Sequence, residues 1–502
     1  MLTPDWFINK RVTVMGLGVH GGGLGAAAWL VKHGARVTVT DLRDAQVLAK
    51  SVAALERVVA LEARRQGSVR VKNIRYVLGR HDEADFSNAD MVVRNPAVPR
   101  EHPLLALAEK QHVRVESDIS IFFLLCPFPI AAVSGTKGKT TTTALLAAIC
   151  KARDARTVIG GNIRVSPLDA LDRLIALAAK KTAVPPPIVL ELSSWQLESL
   201  ERHRISPHVA VLTNVLEDHL NRYSGIDDYA RAKEIILAFQ QVGDIAVVNA
   251  DESRVAAMGR KRSAIIGSTH GGRRLWFSMK PLPKGKDGCF VRGTSVVLRI
   301  AGEELVAFSL SSVKLPGAHN IGNVLAATAA ARSMGVPIGV IRRIVRGFGP
   351  VPGRLEDVAT KRGVRYINDT TATAPDASIA AMETFGGGTK KRIILISGGA
   401  DKELRFDAWA RKVKSTVKHL VLFTGSATPK MEAALAHARV RVPTSNVLSM
   451  REAVEEARRH AGKGDIVLLS PGCASFGVFQ NEFDRGDQFT AWVKRLIRGQ
   501  KV

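Results

Sequence analysis

The feature that most constrains the fold of this chain is a glycine-rich turn at residues 134–138. The apolar run at residues 130–133 predicts a buried strand before it, and a helix is predicted from about residue 139 to residue 150. A strand, a glycine turn and a helix in this order form a phosphate-binding loop, because freed backbone N–H groups and the helix dipole point toward an anion. The pattern therefore predicts that Lys139 contacts the outer phosphates of a nucleotide, and that Thr140 or Thr141 offers a hydroxyl to Mg²⁺.

This turn differs from the strict P-loop pattern at one position. A glycine would be expected five positions before Gly138, and Val133 stands there instead. The turn is therefore a compact variant of the motif. The alternative is a glycine turn that only begins a helix, but the strand, the lysine, the paired hydroxyls and the helix all occur in the expected order.

The length and composition of the chain predict a globular protein of two or three domains. Its 502 residues are 46% hydrophobic, which is enough for buried cores. Residues 1–10 contain no apolar core of signal-peptide length. The most apolar segment, residues 119–133, is interrupted by Pro127 and Pro129 and is too short to cross a bilayer, so we expect no transmembrane segment and interpret it as a buried strand entering the phosphate loop.

The four cysteines are far apart, with none of the paired spacings of a zinc site or a disulfide framework. This favours a cytosolic, reduced protein. The formal net charge of +26 is spread along the chain rather than gathered in one tail. Such a charge favours anionic ligands and could attract nucleic acid nonspecifically. No nucleic-acid-binding module accompanies it, so a general basic bias or a preference for membrane surfaces is the better interpretation.

A second glycine pattern lies near the amino terminus. Residues 11–15 predict a strand, residues 16–21 follow the spacing Gly-x-Gly-x-x-Gly, and Asp41 ends the next predicted strand. This spacing is typical of dinucleotide binding, with an acid where a ribose hydroxyl would be held. A Rossmann-like fold that uses this turn for another nucleotide fits equally well. A second strand-to-turn junction at Asn95 and Pro96 could line the same cleft.

Three residues in the middle of the chain are candidates for metal chemistry. Glu191 ends a strong predicted strand, where such folds hold Mg²⁺ directly or through water, although an acid at a helix N-terminus is the alternative. His219 follows another strand tip in acidic company, but a lone histidine is more often a packing or surface residue. Lys233 lies on a predicted amphipathic helix, residues 229–239, where a solvated lysine is the default expectation.

The rest of the chain predicts further α/β structure. Residues 263–314 have glycine turns and short alternating runs, which predict a β-rich excursion, and an alanine-rich helix is expected at about residues 317–334. Residues 348–353 are the clearest linker. Beyond it, a third α/β unit is expected, with a parallel set of strands at residues 364–367, 392–397, 419–423 and 466–469.

Taken in order, these motifs resemble the Mur ligases of peptidoglycan synthesis over nearly the whole chain. The markers are short segments found at residues 16–18, 135–140, 160–162, 191–194, 214–219, 317–320, 352–356, 368–369 and 469–475. The resemblance implies an α/β fold of three domains. They are a UDP-binding Rossmann-like domain at residues 1–117, a P-loop ATPase domain at residues 118–349, and a Rossmann-like amino-acid-binding domain at residues 350–502.

The resemblance also implies the roles of individual residues. ATP would be contacted by Gly135, Thr136, Lys137, Gly138, Lys139, Thr140, Thr141, Asn320, Asn323, Arg354 and Asp369. The UDP-linked substrate would be contacted by Leu17, Val19, Asp41, Leu42, Arg43, Asn95, Pro96, Asn162, Ser193 and Gln196. The incoming amino acid would be received by Thr373, Lys402, Ser475 and Phe476. The catalytic group would comprise Lys139, His219 and Lys233, and two Mg²⁺ ions would be held with the help of Thr140, Glu191, His219 and Lys233. Lys233 would match the family's carbamylated lysine, whose CO₂ adduct is an anion.

The implied activity is ATP-dependent addition of glutamate, with the D configuration favoured, to UDP-N-acetylmuramoyl-L-alanine through an acyl phosphate. The implied protein is a cytoplasmic monomer without a specific nucleic-acid partner. Two departures fall in the amino-acid pocket. Thr371 stands where the family has a lysine, and Glu482 stands where it has an aromatic residue, for which Phe483 could substitute. L-glutamate or another amino acid is therefore an alternative substrate, with Glu482 expected to point outward and Lys402 to make the main electrostatic contact.

Two further classes of protein compete with the ligase interpretation. A nucleotide-dependent dehydrogenase would explain the first glycine pattern, but it would leave Lys139, Glu191 and His219 without roles. A P-loop ATPase that binds nucleic acid would explain the charge. Release of phosphate that depends on a UDP-muramoyl-alanine acceptor would distinguish these three hypotheses.

Overall fold

The chain forms two compact units. The computed structural model describes residues 2–18, 22–65, 74–163, 165–180, 184–218, 222–265, 273–388 and 390–498. One unit comprises residues 1–310 with residues 322–345, and the other comprises residues 311–321 with residues 346–502. The first two predicted domains therefore fall in one unit, except for residues 311–321 and 346–349 of the second predicted domain. The three domain boundaries taken from the sequence stay predictions.

The amino-terminal part of the first unit is a parallel sheet with the strand order β3-β2-β1-β4-β5 in the described residues. Its strands are β1 (Arg11–Met15), β2 (Arg36–Asp41), β3 (Ile74–Leu78), β4 (Met91–Arg94) and β5 (Arg114–Glu116). Its helices are α1 (Gly22–Lys32), α2 (Ala45–Arg65), α3 (Ala84–Ser87), α4 (Pro103–Lys110) and α5 (Asp118–Leu125), after a 3₁₀ turn at Pro4–Phe7. The reversal of strand order beside β1 creates a crevice beyond the carboxyl ends of β1 and β4, where open α/β sheets bind ligands.

The central part of the first unit is a larger mixed sheet with the order β14-β13-β12-β11-β10-β9-β6-β8-β7 across the described strands. The strands are β6 (Ala131–Ser134), β7 (Val158–Gly161), β8 (Ile188–Glu191), β9 (Val209–Leu212), β10 (Ile245–Asn249), β11 (Arg273–Ser278), β12 (Gly288–Arg292), β13 (Ser295–Ile300) and β14 (Glu303–Ser309). The helices are α6 (Lys139–Arg153), α7 (Leu168–Ala178), α8 (Ser194–Glu201), α9 (Ile226–Ala238), α10 (Ser253–Ile265), α11 (Ala318–Ser333), which begins in the second unit, and α12 (Ile338–Gly347). Strands β11–β14 lie in the stretch predicted to be β-rich, and β11 pairs with β10, so they extend the central sheet.

The second unit contains a sheet with the order β15-β16-β20-β17-β18-β19 among its described strands. They are β15 (Glu356–Lys361), β16 (Val364–Asn368), β17 (Ile393–Gly398), β18 (Val417–Phe423), β19 (Thr444–Val447) and β20 (Ile466–Leu469). The helices are α13 (Pro375–Phe385), α14 (Asp407–Thr416), α15 (Thr428–His437), α16 (Met450–His460) and α17 (Glu482–Ile497). The predicted parallel set is present, and β15 adds an antiparallel edge to β16.

One buried cluster runs through both halves of the first unit. Trp29 and Phe122 of the amino-terminal half belong to the same hydrophobic core as Leu171 and Leu190 of the central half. A shared core of this kind holds the two sheets together by the same burial of apolar surface that stabilises each sheet.

The interpretation of residues 119–133 as one buried strand is wrong. Helix α5 occupies most of the first half of this segment, and strand β6 begins only at Ala131. The helix begins because the Ser117 hydroxyl accepts a hydrogen bond from the backbone N–H of Ser120, while the Ser120 hydroxyl receives the N–H of Ser117. Helix α5 is apolar on all sides, so its sequence shows no helical period. A fully buried helix and a buried strand then have similar apolar runs, which cannot be told apart by periodicity.

The four cysteines are free thiols, with Cys150, Cys289 and Cys473 buried and Cys126 half-buried. Burial raises the pKa of Cys126 to about 11 and the pKa values of Cys150 and Cys473 to about 12. Among the described helices, none has both the length and the apolar character needed to cross a membrane.

Candidate active site

The phosphate loop between β6 and α6 is built around two glycines that no other residue could replace without movement. Gly135 has φ +147° and Gly138 has φ +84°. A Cβ atom on Gly135 would lie 1.9 Å from Thr213 Oγ1, and one on Gly138 would lie 2.2 Å from Asn323 Oδ1. The loop backbone is thus pressed against β9 and α11, which leaves its N–H groups arranged around the start of α6.

A segment after β9 supports the loop from behind. The backbone N–H of Thr136 donates to Asn214 O at 2.9 Å, and the N–H of Lys137 donates to Asn214 Oδ1 at 2.8 Å. The Thr213 hydroxyl donates to Lys137 O at 2.7 Å. The ammonium of Lys137 lies 3.2 Å from Asp218 Oδ2. These contacts fix the loop before any ligand binds, which lowers the entropy lost when a phosphate is held.

Lys139 and the threonines lie where the loop pattern predicts them. Lys139 Nζ is 2.9 Å from Gly135 O and 3.0 Å from Thr136 O, so its charge rests over the loop. Thr140 occupies the second position of α6 and is half-buried, whereas Thr141 is 7% exposed. Thr140 is therefore the better placed of the two hydroxyls to meet a metal ion at the loop.

Lys233 is buried, so the default expectation of a solvated lysine on α9 is wrong. Its side chain is almost fully enclosed, its Nζ donates to Gly135 O at 2.9 Å, and it lies 4.5 Å from the centre of the Tyr229 ring. Burial and the nearby Lys139 charge lower the pKa of Lys233 well below its usual range, although Asp218 acts in the opposite direction. A buried lysine with a strongly lowered pKa in contact with a phosphate loop is an unusual arrangement, and it points to chemistry rather than to packing.

Glu191 ends β8 beside the loop strand, where it is 1% exposed. Its Oε1 accepts a hydrogen bond from Asn162 Nδ2 at 2.9 Å, and its backbone carbonyl accepts the N–H of Asn162 at 2.8 Å. Its Oε2 is buried and has no hydrogen-bond partner among the described residues. A buried carboxylate oxygen without a donor fits a cation, because leaving it unpaired is otherwise costly. Glu191 and Lys233 also interact electrostatically, so the structure brings them together.

Ser193 and Gln196 hold the start of α8. The Ser193 hydroxyl accepts the N–H of Gln196 at 3.3 Å, and Gln196 Oε1 accepts the N–H of Ser193 at 3.0 Å. This capping box explains both residue types structurally. The two residues lie two and five positions after Glu191 in the sequence. Their proposed contact with a substrate stays a prediction.

The amino-terminal crevice brings together most of the residues predicted to hold UDP. Asp41 Oδ2 accepts the N–H of Gly18 at 3.1 Å, and its Oδ1 accepts the N–H of Arg43 at 3.0 Å. Asn95 Nδ2 donates to Gly16 O at 3.3 Å. Leu17 is fully buried, Pro96 is half-buried, and Leu42 and Arg43 are exposed at the rim. Sequence reasoning did not find Ser51, whose hydroxyl donates to Gly18 O at 2.8 Å.

Two predicted site residues, Val19 and His219, lie outside the described residues. Asn323, the candidate ATP contact on α11 in the first unit, is buried, and its Oδ1 accepts a hydrogen bond from the Thr142 hydroxyl at 3.3 Å.

The remaining ATP candidates belong to the second unit. Asp369 follows β16 and is 7% exposed, with Oδ1 accepting the N–H of Leu355 and Oδ2 accepting the Ser470 hydroxyl at 2.9 Å. Burial raises its pKa to about 7, against these hydrogen bonds and the charge of Arg354. Asn320 is buried on the first turn of α11, and its amide donates to Pro316 O at 2.6 Å.

The candidate amino-acid residues also lie past strand ends of the second unit. Thr373 is half-buried after β16, and Lys402 is exposed after β17. After β20, Ser475 is 1% exposed with its hydroxyl lacking a hydrogen-bond partner in the described structure, and Phe476 is 60% exposed. Because parallel strands end at one edge of their sheet, these residues share that edge. Glu482 begins α17 and is half-buried, so its predicted outward direction stays a prediction.

Sequence reasoning missed Arg485, which is fully buried beneath this edge. Its guanidinium donates to Thr370 O at 2.7 Å, to the Thr370 hydroxyl at 3.1 Å and to Cys473 O at 3.3 Å. Burial lowers its pKa to about 10. One arginine thus ties together the loops after β16 and β20. A charged residue four positions into α17 gave no sequence signal of this, since it is most often a solvated one.

A separate histidine and glutamate cluster in the second unit is explained by its own hydrogen bonds. The rings of His419 and His460 stack 3.6 Å apart, and Glu456 Oε1 accepts hydrogen bonds from Ser445 and lies 3.0 Å from His460 Nε2. His419 Nε2 is 2.9 Å from Ser445 Oγ. Each potential metal-binding atom therefore already has a partner.

Comparisons with known proteins identify the class that this fold and site define. Residues 10–117 match the family model described as the Mur ligase MurD-like N-terminal domain, residues 133–331 match the Mur ligase middle domain, and residues 353–473 match the glutamate ligase domain of Mur ligases. The chain belongs to the Mur ligase family. The resemblance and the three-domain α/β fold class inferred from the sequence are thereby confirmed.

Individual relatives cover almost the whole chain. It is 44% identical to a UDP-N-acetylmuramoylalanine–D-glutamate ligase of Roseiflexus sp. (strain RS-1) over 494 residues, covering 97% of this chain and 98% of the relative. It is 34% identical to the enzyme of the same name from Symbiobacterium thermophilum, covering 97% and 99%. Among solved structures, a UDP-N-acetylmuramate-alanine ligase of Thermotoga maritima has a TM-score of 0.58 at 18% identity, covering 98% of this chain and 100% of that one, which shows a shared fold.

Proposed function

We propose that this protein is an ATP-dependent ligase that joins D-glutamate to UDP-N-acetylmuramoyl-L-alanine. The relatives with this name match nearly end to end. The observation that carries the proposal is the grouping of Lys139, Glu191 and the buried Lys233 around one phosphate loop. A dehydrogenase would need none of these three residues. The nucleotide-binding crevice at the amino terminus is then assigned to the UDP group.

The first chemical step needs two anions to meet. A carboxylate oxygen of the alanine residue attacks the γ-phosphorus of ATP, the bond to the bridging oxygen breaks, and ADP leaves with an acyl phosphate remaining on the substrate. The loop N–H groups and the ammonium of Lys139 stabilise the charge that collects on the transferred group. Because these donors are fixed in place, little reorganisation is required as the phosphoryl group moves.

Magnesium fits the residues beside the loop. The buried Glu191 Oε2 has no donor within the part of the chain that the structure describes, and the Thr140 hydroxyl is the kind of oxygen ligand that Mg²⁺ accepts. Bound Mg²⁺ would offset the charge of the phosphates and of the substrate carboxylate. Glu191, Thr140, His219 and the modified Lys233 are the residues that we propose hold two such ions.

Carbamylation of Lys233 fits its surroundings. A neutral amine can attack CO₂, forming an N–C bond as one C–O electron pair moves to oxygen and a proton leaves the nitrogen. The lowered pKa favours the neutral amine, and the nearby Lys139 and Lys137 charges that disfavour an ammonium would stabilise the carbamate anion. The modification would thus turn an unfavourable local charge into a favourable one.

The second chemical step takes place with the amino acid. The glutamate amine attacks the acyl carbon, phosphate leaves, and the nitrogen gives up a proton to complete the amide. We propose that Lys402, Thr373, Ser475 and Phe476 receive this amino acid, with Arg485 holding the loops on which Thr370 and Cys473 lie. We also propose a cytoplasmic monomer, since ATP and UDP-sugars are cytoplasmic metabolites.

Phosphate release in a panel of amino acids tests the proposal. The purified protein should release phosphate from ATP only when both UDP-N-acetylmuramoyl-L-alanine and D-glutamate are present, with L-glutamate and neutral amino acids much weaker. Lys139→Ala should remove at least about 99% of the rate, because it deletes one charge at the transferred phosphoryl group. Release without the UDP-linked acceptor, or a preference for a neutral or basic amino acid, would overturn the assignment.

A further inference from the structure

A buried carboxylate, Glu198, connects the two halves of the first unit at the back of the candidate site. It lies on α8, five positions after Ser193, and its side chain is 6% exposed. Arg222 Nη2 is 3.0 Å from its Oε2, and the hydroxyl of Tyr223 donates to its Oε1 at 2.6 Å. Arg94 Nη2 is 3.9 Å from the same Oε2. Two guanidinium groups and a phenol therefore converge on one carboxylate.

The two arginines hold the turn that follows β4. Arg94 Nη1 donates to Val98 O at 2.9 Å, and Arg222 Nη1 lies 3.5 Å from Pro96 O. Arg94 Nη2 also reaches Trp195 O, and the guanidinium of Arg222 lies 4.7 Å from the centre of the Trp195 ring. The turn at residues 95–98 carries Asn95 and Pro96, which are proposed to contact the UDP-linked substrate.

The same carboxylate is connected to the phosphate loop on its other side. The Tyr223 ring lies 5.1 Å from the Tyr229 ring, and the Tyr229 ring lies 4.5 Å from Lys233 Nζ. Lys233 Nζ in turn donates to Gly135 O of the loop at 2.9 Å. A continuous series of contacts thus runs from the turn at residues 95–98 through Glu198 to Lys233.

The charge of the Glu198 carboxylate is what allows two buried arginines to lie side by side in this series. The Arg94 and Arg222 side chains are 6% and 12% exposed. Without the carboxylate, two buried guanidinium charges would repel each other with little water to screen them. Glutamine keeps the shape of the side chain but removes the charge, so the arginines would be expected to separate and to release Val98 O and Pro96 O.

We propose that Glu198 is a positioning residue, which fixes the substrate turn at residues 95–98 relative to Lys233 and the phosphate loop. The inference rests on the proposed function. A substrate that contacts both places would present its carboxylate correctly only when this distance is fixed. The glutamate on α8 would therefore act on binding of the UDP-linked substrate without touching it.

Steady-state kinetics of Glu198→Gln test this role. The KM for UDP-N-acetylmuramoyl-L-alanine should rise by about tenfold or more, while the KM for ATP stays within about twofold. The matched control is Glu201→Gln on the same helix, whose half-exposed carboxylate lies 3.3 Å from Arg100 and is screened by water. Both KM values of the control should stay within about twofold of the wild type.

A second variant covers the case in which Glu198→Gln does not fold. Tyr223→Phe keeps the ring contact with Tyr229 and removes only the hydroxyl, so the KM for the UDP-linked substrate should rise by about threefold without a matching change for ATP. Each variant can also be titrated with UDP-N-acetylmuramoyl-L-alanine in the absence of ATP. The dissociation constants should rank the variants in the same order as their KM values for this substrate. An unchanged KM for this substrate in both variants, or a parallel rise for ATP, would overturn the inference. Wild-type protein without acceptor-dependent phosphate release would instead overturn the proposed function.

Discussion

At the scale of single residues, this site depends on groups whose charge is decided by burial. Lys233 has lost most of its contact with water and lies beside two other cations, so its pKa is lowered well below that of a surface lysine. Burial acts in the same sense on Asp369, where it favours the neutral acid and raises the pKa to about 7. Both residues keep hydrogen-bond partners, and the charge of an arriving ligand would shift the protonation equilibrium of each.

Replacement of Lys233 tests whether its modification is essential. Lys233→Ala should reduce the rate by at least about 100-fold, because the anion that orients a metal ion is lost. Acetate or formate added in solution should restore part of the activity by supplying a carboxylate. A ¹³CO₂-labelled sample should show a carbamate carbon signal in the wild type and none in the variant. Lys151→Ala, on the exposed side of α6, is the control and should behave like the wild type. Full activity of wild-type protein in CO₂-free buffer would contradict the modification.

The raised pKa of Asp369 predicts a pH-dependent stability. The folded protein holds the proton up to about pH 7, whereas the unfolded chain releases it near pH 4, so the folded state binds more protons between these values. Stability should therefore fall as pH rises through this window, by at most about 4 kcal/mol. Asp369→Asn should remove that dependence, so that its unfolding free energy relative to wild type is larger at pH 8 than at pH 5. Urea unfolding at both pH values measures this, with the exposed Asp376→Asn as control. An equal difference at both pH values would show that Asp369 ionises freely.

At the scale of elements, the strand, loop and helix at residues 131–153 were the most predictable part of the protein. The strand and the glycines determined it locally, and the observed helix begins at the predicted Lys139. The burial of Lys233 could not be predicted, because nothing within α9 indicates that the phosphate loop would pack on that face. Strands β15 and β19 were also missed, since their polar, half-buried or exposed sequences lack an apolar run. Arg485 was missed for the same reason as Lys233, as its burial depends on loops distant in sequence.

The loop geometry predicts a severe effect of one added methyl group. Gly138→Ala should destabilise the protein by about 1–2 kcal/mol or more through its left-handed backbone alone. It should also displace Asn323, whose Oδ1 would be 2.2 Å away, and abolish ATP-dependent phosphate release. Gly339→Ala is the matched control. It lies on α12 with nothing within 4 Å of the new Cβ, and should change stability by less than about 1 kcal/mol, in the favourable direction. Thermal unfolding and the phosphate assay check both variants, and an active, equally stable Gly138→Ala would refute this account of the loop.

At the scale of the whole molecule, charged contacts join the two sheets of the first unit. Asp172 on α7 accepts hydrogen bonds from Trp29 Nε1 at 3.0 Å and from Lys32, and it lies 2.8 Å from His33 Nε2. Burial tends to raise the pKa of Asp172, but the hydrogen bonds from His33 and Lys32 outweigh it and hold the pKa well below its usual range. One carboxylate on the central half thus gathers three donors from the end of α1.

Removal of this carboxylate should weaken the first unit without changing its chemistry. Asp172→Asn should lower the unfolding free energy by about 1 kcal/mol at pH 7, since the group is partly exposed and screened. A lowered carboxyl pKa contributes stability above about pH 4 that is lost as pH falls through the folded value. The difference in unfolding free energy between the variant and the wild type should therefore become smaller below pH 4. Asp227→Asn, whose carboxylate is 86% exposed, is the control for a surface ion pair. Melting curves of both proteins across this pH range measure the difference in stability. A difference that increases in acid would contradict this account of Asp172.

The low reactivity of the four natural cysteines has a practical consequence for labelling this protein with dyes. With pKa values of about 11 and 12, the thiols of Cys126, Cys150 and Cys473 are almost entirely protonated at pH 7.5, and the enclosed Cys289 is further from reagents still. Maleimide dyes react with the thiolate, so the natural cysteines should be labelled only very slowly. A cysteine introduced at an exposed position would therefore be labelled selectively, without deletion of the four natural ones.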